Sequence, residues 1–241
     1  MKITTWNVNS VNARIDSIKK FIKKDKSDIY LLQELKCINE KFPNDEIKKL
    51  GYNSYVNGQK AWNGVAILSK KKLVISNIKI PTFVKDDQSR FIETTIKIKN
   101  IKKEIKLICI YLPNGNPIET DKFEYKIKWM KKFNAYIYDL CQKNHPVIIG
   151  GDFNVIPTDD DVYSPENYKN DACAHPLTRE QYRILINMGF TDLVKHFVEG
   201  KTNWTFWGYR GGGWQKGNGL RIDHFLTTAN VTDLIKKVEV N

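Results

Sequence analysis

Residues 146–154 read PVIIGGDFN, an apolar run followed by two glycines and then an acid, a phenylalanine and an amide. An apolar run without polar alternation suits a strand buried on both faces, which places it inside a sheet rather than at its rim. The Gly150-Gly151 pair lets the backbone turn tightly or approach a neighbour closely, and Asp152 and Asn154 share a side if the strand continues. Three other segments have the same form: ITTWN stops on Asn7, IYLLQE on Glu34 and LRID on Asp223. Buried strands that end on oxygen-bearing side chains imply convergence on one polar site. That arrangement suits a hard divalent cation and hydrolysis of a phosphate ester.

Short β-rich runs recur at residues 2–8, 28–34, 64–69, 91–98, 105–112, 146–151, 204–209 and 221–228. In the fourth, Ile92, Thr94, Ile96 and Ile98 alternate with Glu93, Lys97 and Lys99, the period of a strand with one wet face. Helical spacing predicts one helix carrying Ile15, Ile18 and Ile22, after Asn12-Ala13-Arg14. It predicts another carrying Phe123, Ile127, Met130, Ile137 and Cys141, between Glu119 and Lys143. A third is predicted over 178–188, with Thr178 as the cap ahead of Glu180 and Gln181, and Gly189 as the stop. Many strands with few helices give an α/β chain of two packed sheets flanked by helices. No linker, repeat or low-complexity run divides the 241 residues, so a single domain over 1–241 is expected.

The chain carries 39 Lys and Arg against 27 Asp and Glu, a net charge of +12, and 41% apolar residues that can fill a sizeable core. The charge favours a polyanionic partner, although an Ile/Lys/Asn-rich composition also follows from a biased genome. Cys37, Cys109, Cys141 and Cys173 are scattered with no CxxC pair, which favours free thiols in a reducing cytosol over disulfides or zinc. Cys109, inside IKLICIYL, reads as core. MKITTWNVNS lacks the apolar stretch of a signal peptide and no segment approaches membrane-spanning length, so a soluble cytoplasmic protein is expected.

Glu34 should emerge where a buried strand meets solvent, and a carboxylate that pairs with a lysine or caps a loop reads the same way. Asp152 and Asn154 together could accept a water proton and hold that water in line, with an Asx turn as the competing reading of GDFN. Tyr111 ends LICIY before the LPNGNP loop, where a phenol can donate to a phosphate oxygen, approach it as phenolate, or merely pack. Asp223 follows Arg221 by two residues, so an Arg–Asp ion pair is an alternative to a catalytic role. His145 and His175 precede prolines, His196 lies in an amphipathic stretch, and His224 should face away from Asp223; none is an obvious base. Residues 202–219 set Trp204, Phe206, Trp207, Tyr209 and Trp214 among glycines with Arg210 and Lys216. These rings could stack on bases or wedge into a minor groove, or the first of them could face inward from a strand. Arg210 and Trp214, bracketed by glycines, are the better surface candidates.

Taken in order, ITTWNVNSVNAR, LLQELK, WNGVAILS, SRFIE, YLPNGNP, GGDFNV, GYRGGGWQ and GLRIDH resemble the exodeoxyribonuclease III family of apurinic/apyrimidinic endonucleases. That family lies within the larger endonuclease/exonuclease/phosphatase superfamily. The resemblance spans nearly the whole chain. GDFN is shared across the superfamily, whereas WNVNSVNAR, YLPNGNP and GLRIDH are specific to the DNA-repair branch. It implies a four-layer α/β sandwich of two mixed β-sheets and dependence on Mg²⁺ or Mn²⁺. The implied reaction on duplex DNA is hydrolysis of the phosphodiester 5′ to an abasic site, with 3′→5′ exonuclease and 3′-end-processing activities, by a monomer without a membrane partner.

Carried over by resemblance, Glu34 is the principal metal ligand with Asn7 close by, and Asp152 and Asn154 complete the metal and water site. Asp152 positions or deprotonates the attacking water and Asn154 orients it, while Tyr111 and Asn114 contact the scissile phosphate. Arg90 of SRFIE falls on the DNA side. Phe206, Leu220 and Ile222 match an apolar pocket for a flipped-out abasic sugar, and Arg210 matches a DNA-penetrating residue, with Trp214 on the same loop. Family members carry, beyond the RID strand, a further strand and an S-D-H triplet whose His hydrogen-bonds the Asp matched here by Asp223. The triplet is not in this sequence, which ends KKVEVN, so weak cleavage and reduced stability are expected and the general base, Asp152 or His, stays open. The alternative functions are a phosphatase or phosphodiesterase acting on lipid or inositol phosphates, and a catalytically impaired DNA-binding homologue. VNAR and YLPNGNP weigh against the first.

Overall fold

The computed structural model describes residues 1–98, 102–200, 203–208 and 212–240. Its strands are β1 (Ile3–Asn7), β2 (Ile29–Gln33), β3 (Asn53–Asn57), β4 (Val65–Ser69), β5 (Ile75–Asn77), β6 (Phe91–Ile96), β7 (Ile105–Tyr111), β8 (Val147–Asp152), β9 (Phe190–Asp192), β10 (Phe206–Trp207), β11 (Gly219–Leu220) and β12 (Asp223–Thr228). The α-helices are α1 (Ile15–Asp25), α2 (Asn44–Lys49), α3 (Asp121–Gln142), α4 (Pro176–Asn187), α5 (Leu193–Phe197) and α6 (Ala229–Thr232). They build the α/β fold of two large mixed sheets flanked by helices. The chain forms two compact units, Met1–Tyr111 with Ile149–Asp152, and Leu112–Ile148 with Phe153–Asn241.

In the first unit the order is β1-β2-β4-β3, with β1 parallel to β2 and the other pairs antiparallel. IYLLQ and VAILS are buried at every position because β2 and β4 are covered on both faces. Tyr30 and Leu32 join Ile18 and Ile22 of α1 in one apolar cluster. On the opposite face β2 and β4 pack against β7, and Gln33 Nε2 donates to Cys109 Sγ at 3.2 Å. The second sheet contributes β5-β6-β7, antiparallel throughout. β6 departs from its predicted wet face. Glu93 is fully buried, accepting from Lys106 Nζ at 3.0 Å and Asn77 Nδ2 at 3.3 Å, so its charge is neutralised within the sheet.

In the second unit α3 buries Trp129, Met130, Phe133 and Ile137 and packs against α4, where Asn134 Nδ2 donates to the Gln181 carbonyl at 3.0 Å. α4 starts earlier than predicted. His175, not Thr178, is its cap: Pro176 supplies the preset first-turn φ, and His175 Nδ1 accepts from the Leu177 N–H. Thr178 is buried in the first turn and donates to the Ala172 carbonyl at 2.7 Å. Gly189, at φ +96°, ends the helix as predicted. Among the described residues of the aromatic run at 204–209, only Phe206 and Trp207 form a strand, β10, paired with β11; Tyr209 lies outside the described residues. Cys37, Cys109, Cys141 and Cys173 are free thiols, and Cys109 is core. Among the described residues no helix is long and apolar enough to cross a membrane.

Candidate active site

Four strand ends of the first unit meet at one cluster. β1 ends on Asn7, β2 is followed by Glu34, β7 ends on Tyr111 and β8 on Asp152. After β1 the chain curls through Asn9 and Ser10, both at positive φ, and the Asn9 N–H donates to Asn7 Oδ1 at 3.0 Å. That bond fixes the Asn7 amide with its Nδ2 outward. Nδ2 donates to Glu34 Oε1 at 2.9 Å and to Asp152 Oδ2 at 2.8 Å, so one amide joins two carboxylates. Glu34 itself has a left-handed backbone, φ +53°, which turns the chain out of the strand register; such strain in a non-glycine residue is characteristic of functional sites. Asp152 is brought close to β7 by Gly151. A Cβ on that glycine would stand 2.0 Å from the Ile110 carbonyl oxygen, so no other residue fits.

The Tyr111 hydroxyl donates to Glu34 Oε1 at 3.0 Å. Burial, and then the charges of Asp152 and Glu34, push its pKa well above the usual phenol range, so the hydroxyl is a donor at ordinary pH. Burial and those two carboxylate charges thus weigh against the phenolate alternative. Arg90 is nine-tenths buried, with its guanidinium 4.8 Å from the Tyr111 ring centroid and Nη1 donating to the Tyr111 carbonyl at 3.1 Å. Arg90, placed on the DNA side by resemblance, braces Tyr111. Lys36, which the sequence reading passed over within LLQELK, bonds Glu34 Oε2 at 2.9 Å and Asn9 Oδ1 at 2.6 Å. Its signal was the spacing of two residues from Glu34.

In the second unit Asn114 and Asn154 form a pair. Asn114 Nδ2 donates to Asn154 Oδ1 at 3.0 Å, and Asn154 Nδ2 to the Leu112 carbonyl at 2.9 Å. Leu220 and Ile222 are buried in an apolar cluster with Ile156, Val162 and Cys173, and Phe206 pairs across from Leu220. Trp214 is two-thirds exposed, its ring 4.4 Å from that of Trp207. Arg210 lies outside the described residues.

Asp223 opens β12, and its N–H donates to Thr205 Oγ1 at 3.1 Å. The ion pair considered for it goes elsewhere: Arg221 bonds Asp161 at 2.7 Å and Asp192 at 2.9 Å. His224 faces the buried side. Its Nδ1 lies 2.7 Å from an Arg221 nitrogen that can only donate, so Nδ1 accepts and Nε2–H donates to the Val155 carbonyl. Burial and the Arg221 charge push its pKa down to about 4, which keeps the ring neutral.

Residues 4–238 match the Endonuclease/Exonuclease/phosphatase family. Exodeoxyribonuclease III of Haemophilus influenzae is 30% identical over 246 residues, covering 97% of this chain and 90% of that protein. A Neisseria 3′ phosphatase solved with a product DNA hairpin superposes with a TM-score of 0.90 at 32% identity, covering 98% of this chain and 90% of that one. An AP endonuclease from Archaeoglobus fulgidus gives 0.86 at 32%, covering 97% and 88%. With strand ends that gather two carboxylates, an amide and a phenol, and similarity over nearly its full length, the chain belongs to the endonuclease/exonuclease/phosphatase family as an exodeoxyribonuclease III-like phosphodiester hydrolase.

Proposed function

We propose that the chain is a divalent-metal-dependent DNA repair nuclease. It hydrolyses the phosphodiester 5′ to abasic sites and trims or cleans 3′ ends of duplex DNA, in base-excision repair, as a cytoplasmic monomer. The observation that carries this reading is the Asn7 amide bridging Glu34 and Asp152, with Tyr111 on the same Glu34 oxygen. The buried Asp152 carboxylate takes the proton of the attacking water as the water oxygen bonds to phosphorus and the P–O3′ bond breaks, the departing O3′ taking a proton from solvent water to become the 3′-hydroxyl. Tyr111, held as a phenol, donates to a phosphate oxygen where negative charge grows. Asn114 and Asn154 serve the phosphate and the water, and Phe206, Leu220, Ile222, Arg210 and Trp214 serve the duplex.

The donor atoms offered by Glu34 and Asp152 are hard oxygens, a set that fits Mg²⁺ or Mn²⁺, while Asn7 turns its Nδ2 to both carboxylates and so would orient them for the ion. Among the described residues no group of three or more His, Cys, Asp or Glu could hold a metal. One or two carboxylates completed by water is the habit of Mg²⁺, and Glu34 would be its chief ligand. When bound, the ion supplies Lewis-acid neutralisation of phosphate charge.

Incubation with Mg²⁺ and a duplex containing one abasic site tests the proposal. Incision 5′ to the site is expected, and Asp152→Asn should bind the duplex normally while cleaving at least about 10²-fold more slowly, since an amide accepts no proton. Glu34→Ala should raise the Mg²⁺ concentration needed for half-maximal rate. Phosphate release from inositol phosphates with no incision of DNA would overturn the reading.

A further inference from the structure

α3 carries a lysine on its buried face. Lys126 lies between Phe123 and Met130 on the apolar stripe and is fully buried. Its Nζ donates to the Asn154 carbonyl at 2.6 Å and to the Asn114 carbonyl at 2.9 Å. Those carbonyls belong to two separate loops, one following β7 and one following β8, whose side-chain amides bond each other. The loop carrying Asn114 is moulded to the lysine: Gly115 is at φ +87°, and a Cβ there would stand 2.5 Å from Lys126 Cδ. Asn154 is left-handed, at φ +46°, a conformation that asparagine adopts more readily than other non-glycine residues.

Packing alone does not call for an ammonium at this position. A buried charge is unfavourable unless it is well bonded, and a methionine would fill similar space without that penalty. What the ammonium adds is directional: charge-assisted bonds to two carbonyls at once fix the loops relative to each other. We propose that Lys126 is a positioning residue, which holds the Asn114–Asn154 amide pair in its working geometry from behind. The catalytic half of this inference rests on the proposed nuclease reaction; the geometric half does not.

Lys126→Met in the full chain tests it. We expect kcat on the abasic duplex to fall about 10²-fold, the cost of a displacement on the order of an ångström, with duplex Kd and thermal midpoint little changed. In an Asn154→Ala background the same substitution should cost less than about threefold, because the group it positions is already gone. Wild-type kcat in Lys126→Met, or losses that multiply in the double variant, would overturn the proposal. If Lys126→Met does not fold, the wild-type chain decides. Nitrogen-labelled lysine should give one slowly exchanging ammonium in NMR, and the Asn114 and Asn154 amides should give sharp, separated proton pairs. Absence of that ammonium would overturn the geometry even in an active enzyme, whereas its presence in a chain that does not incise abasic DNA would condemn only the nuclease reading.

Discussion

Tyr111 shows how one residue takes its chemistry from its surroundings. A strand-end tyrosine could donate, ionise or pack, and burial together with the placement of Glu34 and Asp152 around it favours donation. Burial comes first among the causes that raise its pKa, followed by those two charges; Tyr30, Tyr168 and Tyr182 are raised by burial as well, Tyr168 to about 12. A phenol whose folded pKa exceeds its unfolded value of about 10 lends stability that is complete below pH 10 and is lost as pH climbs through the raised value. These four tyrosines should therefore stay un-ionised in the folded chain at pH 10.5 and ionise at that pH on unfolding. Absorbance titration at the phenolate band, with and without urea, checks this. Full ionisation in the folded chain at that pH would return Tyr111 to the list of phenolate candidates.

At the scale of elements, what the sequence made legible was whatever rests on local pattern. VIIGGD, IYLLQ and IKLICIY announced themselves by continuous apolarity, and α1 and α3 by spacing. β3, β5 and β9 did not, since NSYVN, ISN and FTD are short and mixed and become strands only because a neighbour is there to pair. The polar interior was hidden for the same reason. Arg221 was read against Asp223, two residues away, but its partners Asp161 and Asp192 are 60 and 29 residues distant. For Asp161, burial raises the pKa, but Arg221, Thr158 and Lys195 together bring it down to about 2. A depressed carboxylate lends stability that is present above its unfolded pKa of about 4 and is lost as pH falls through the folded one. Stability of the chain should thus drop by about 2 kcal/mol from this group between pH 4 and 2. Asp161→Ala should cost about 3–5 kcal/mol in urea denaturation at pH 7, because it strips a partner from a buried guanidinium, and should flatten the acid limb. An unchanged midpoint at pH 7 would mean Asp192 alone suffices for Arg221.

For the molecule as a whole, charge is the property that composition gives directly and the fold only distributes. The excess of 39 basic over 27 acidic residues leaves +12, while several of the cations are committed internally: Lys106 to Glu93, Arg221 to Asp161 and Asp192, Lys36 to Glu34, Lys126 to carbonyls. Those four cations serve the fold and the site and are matched by four carboxylates, Glu93, Asp161, Asp192 and Glu34, so the excess of +12 rests on the other side chains. Binding of an abasic duplex should weaken with salt along a log–log slope of about −3 to −6, the release expected when a few phosphates are neutralised. A slope nearer −10 would require most of the excess charge to lie along the DNA. Affinity that does not change between low and physiological salt would remove the electrostatic footprint altogether and leave recognition to the apolar cluster around Leu220 and Ile222. Fluorescence anisotropy of a labelled duplex, taken with Asp152→Asn so that the substrate persists, separates these cases. Lys36→Met in the same series should change the slope little, since that ammonium is already held by Glu34 and Asn9.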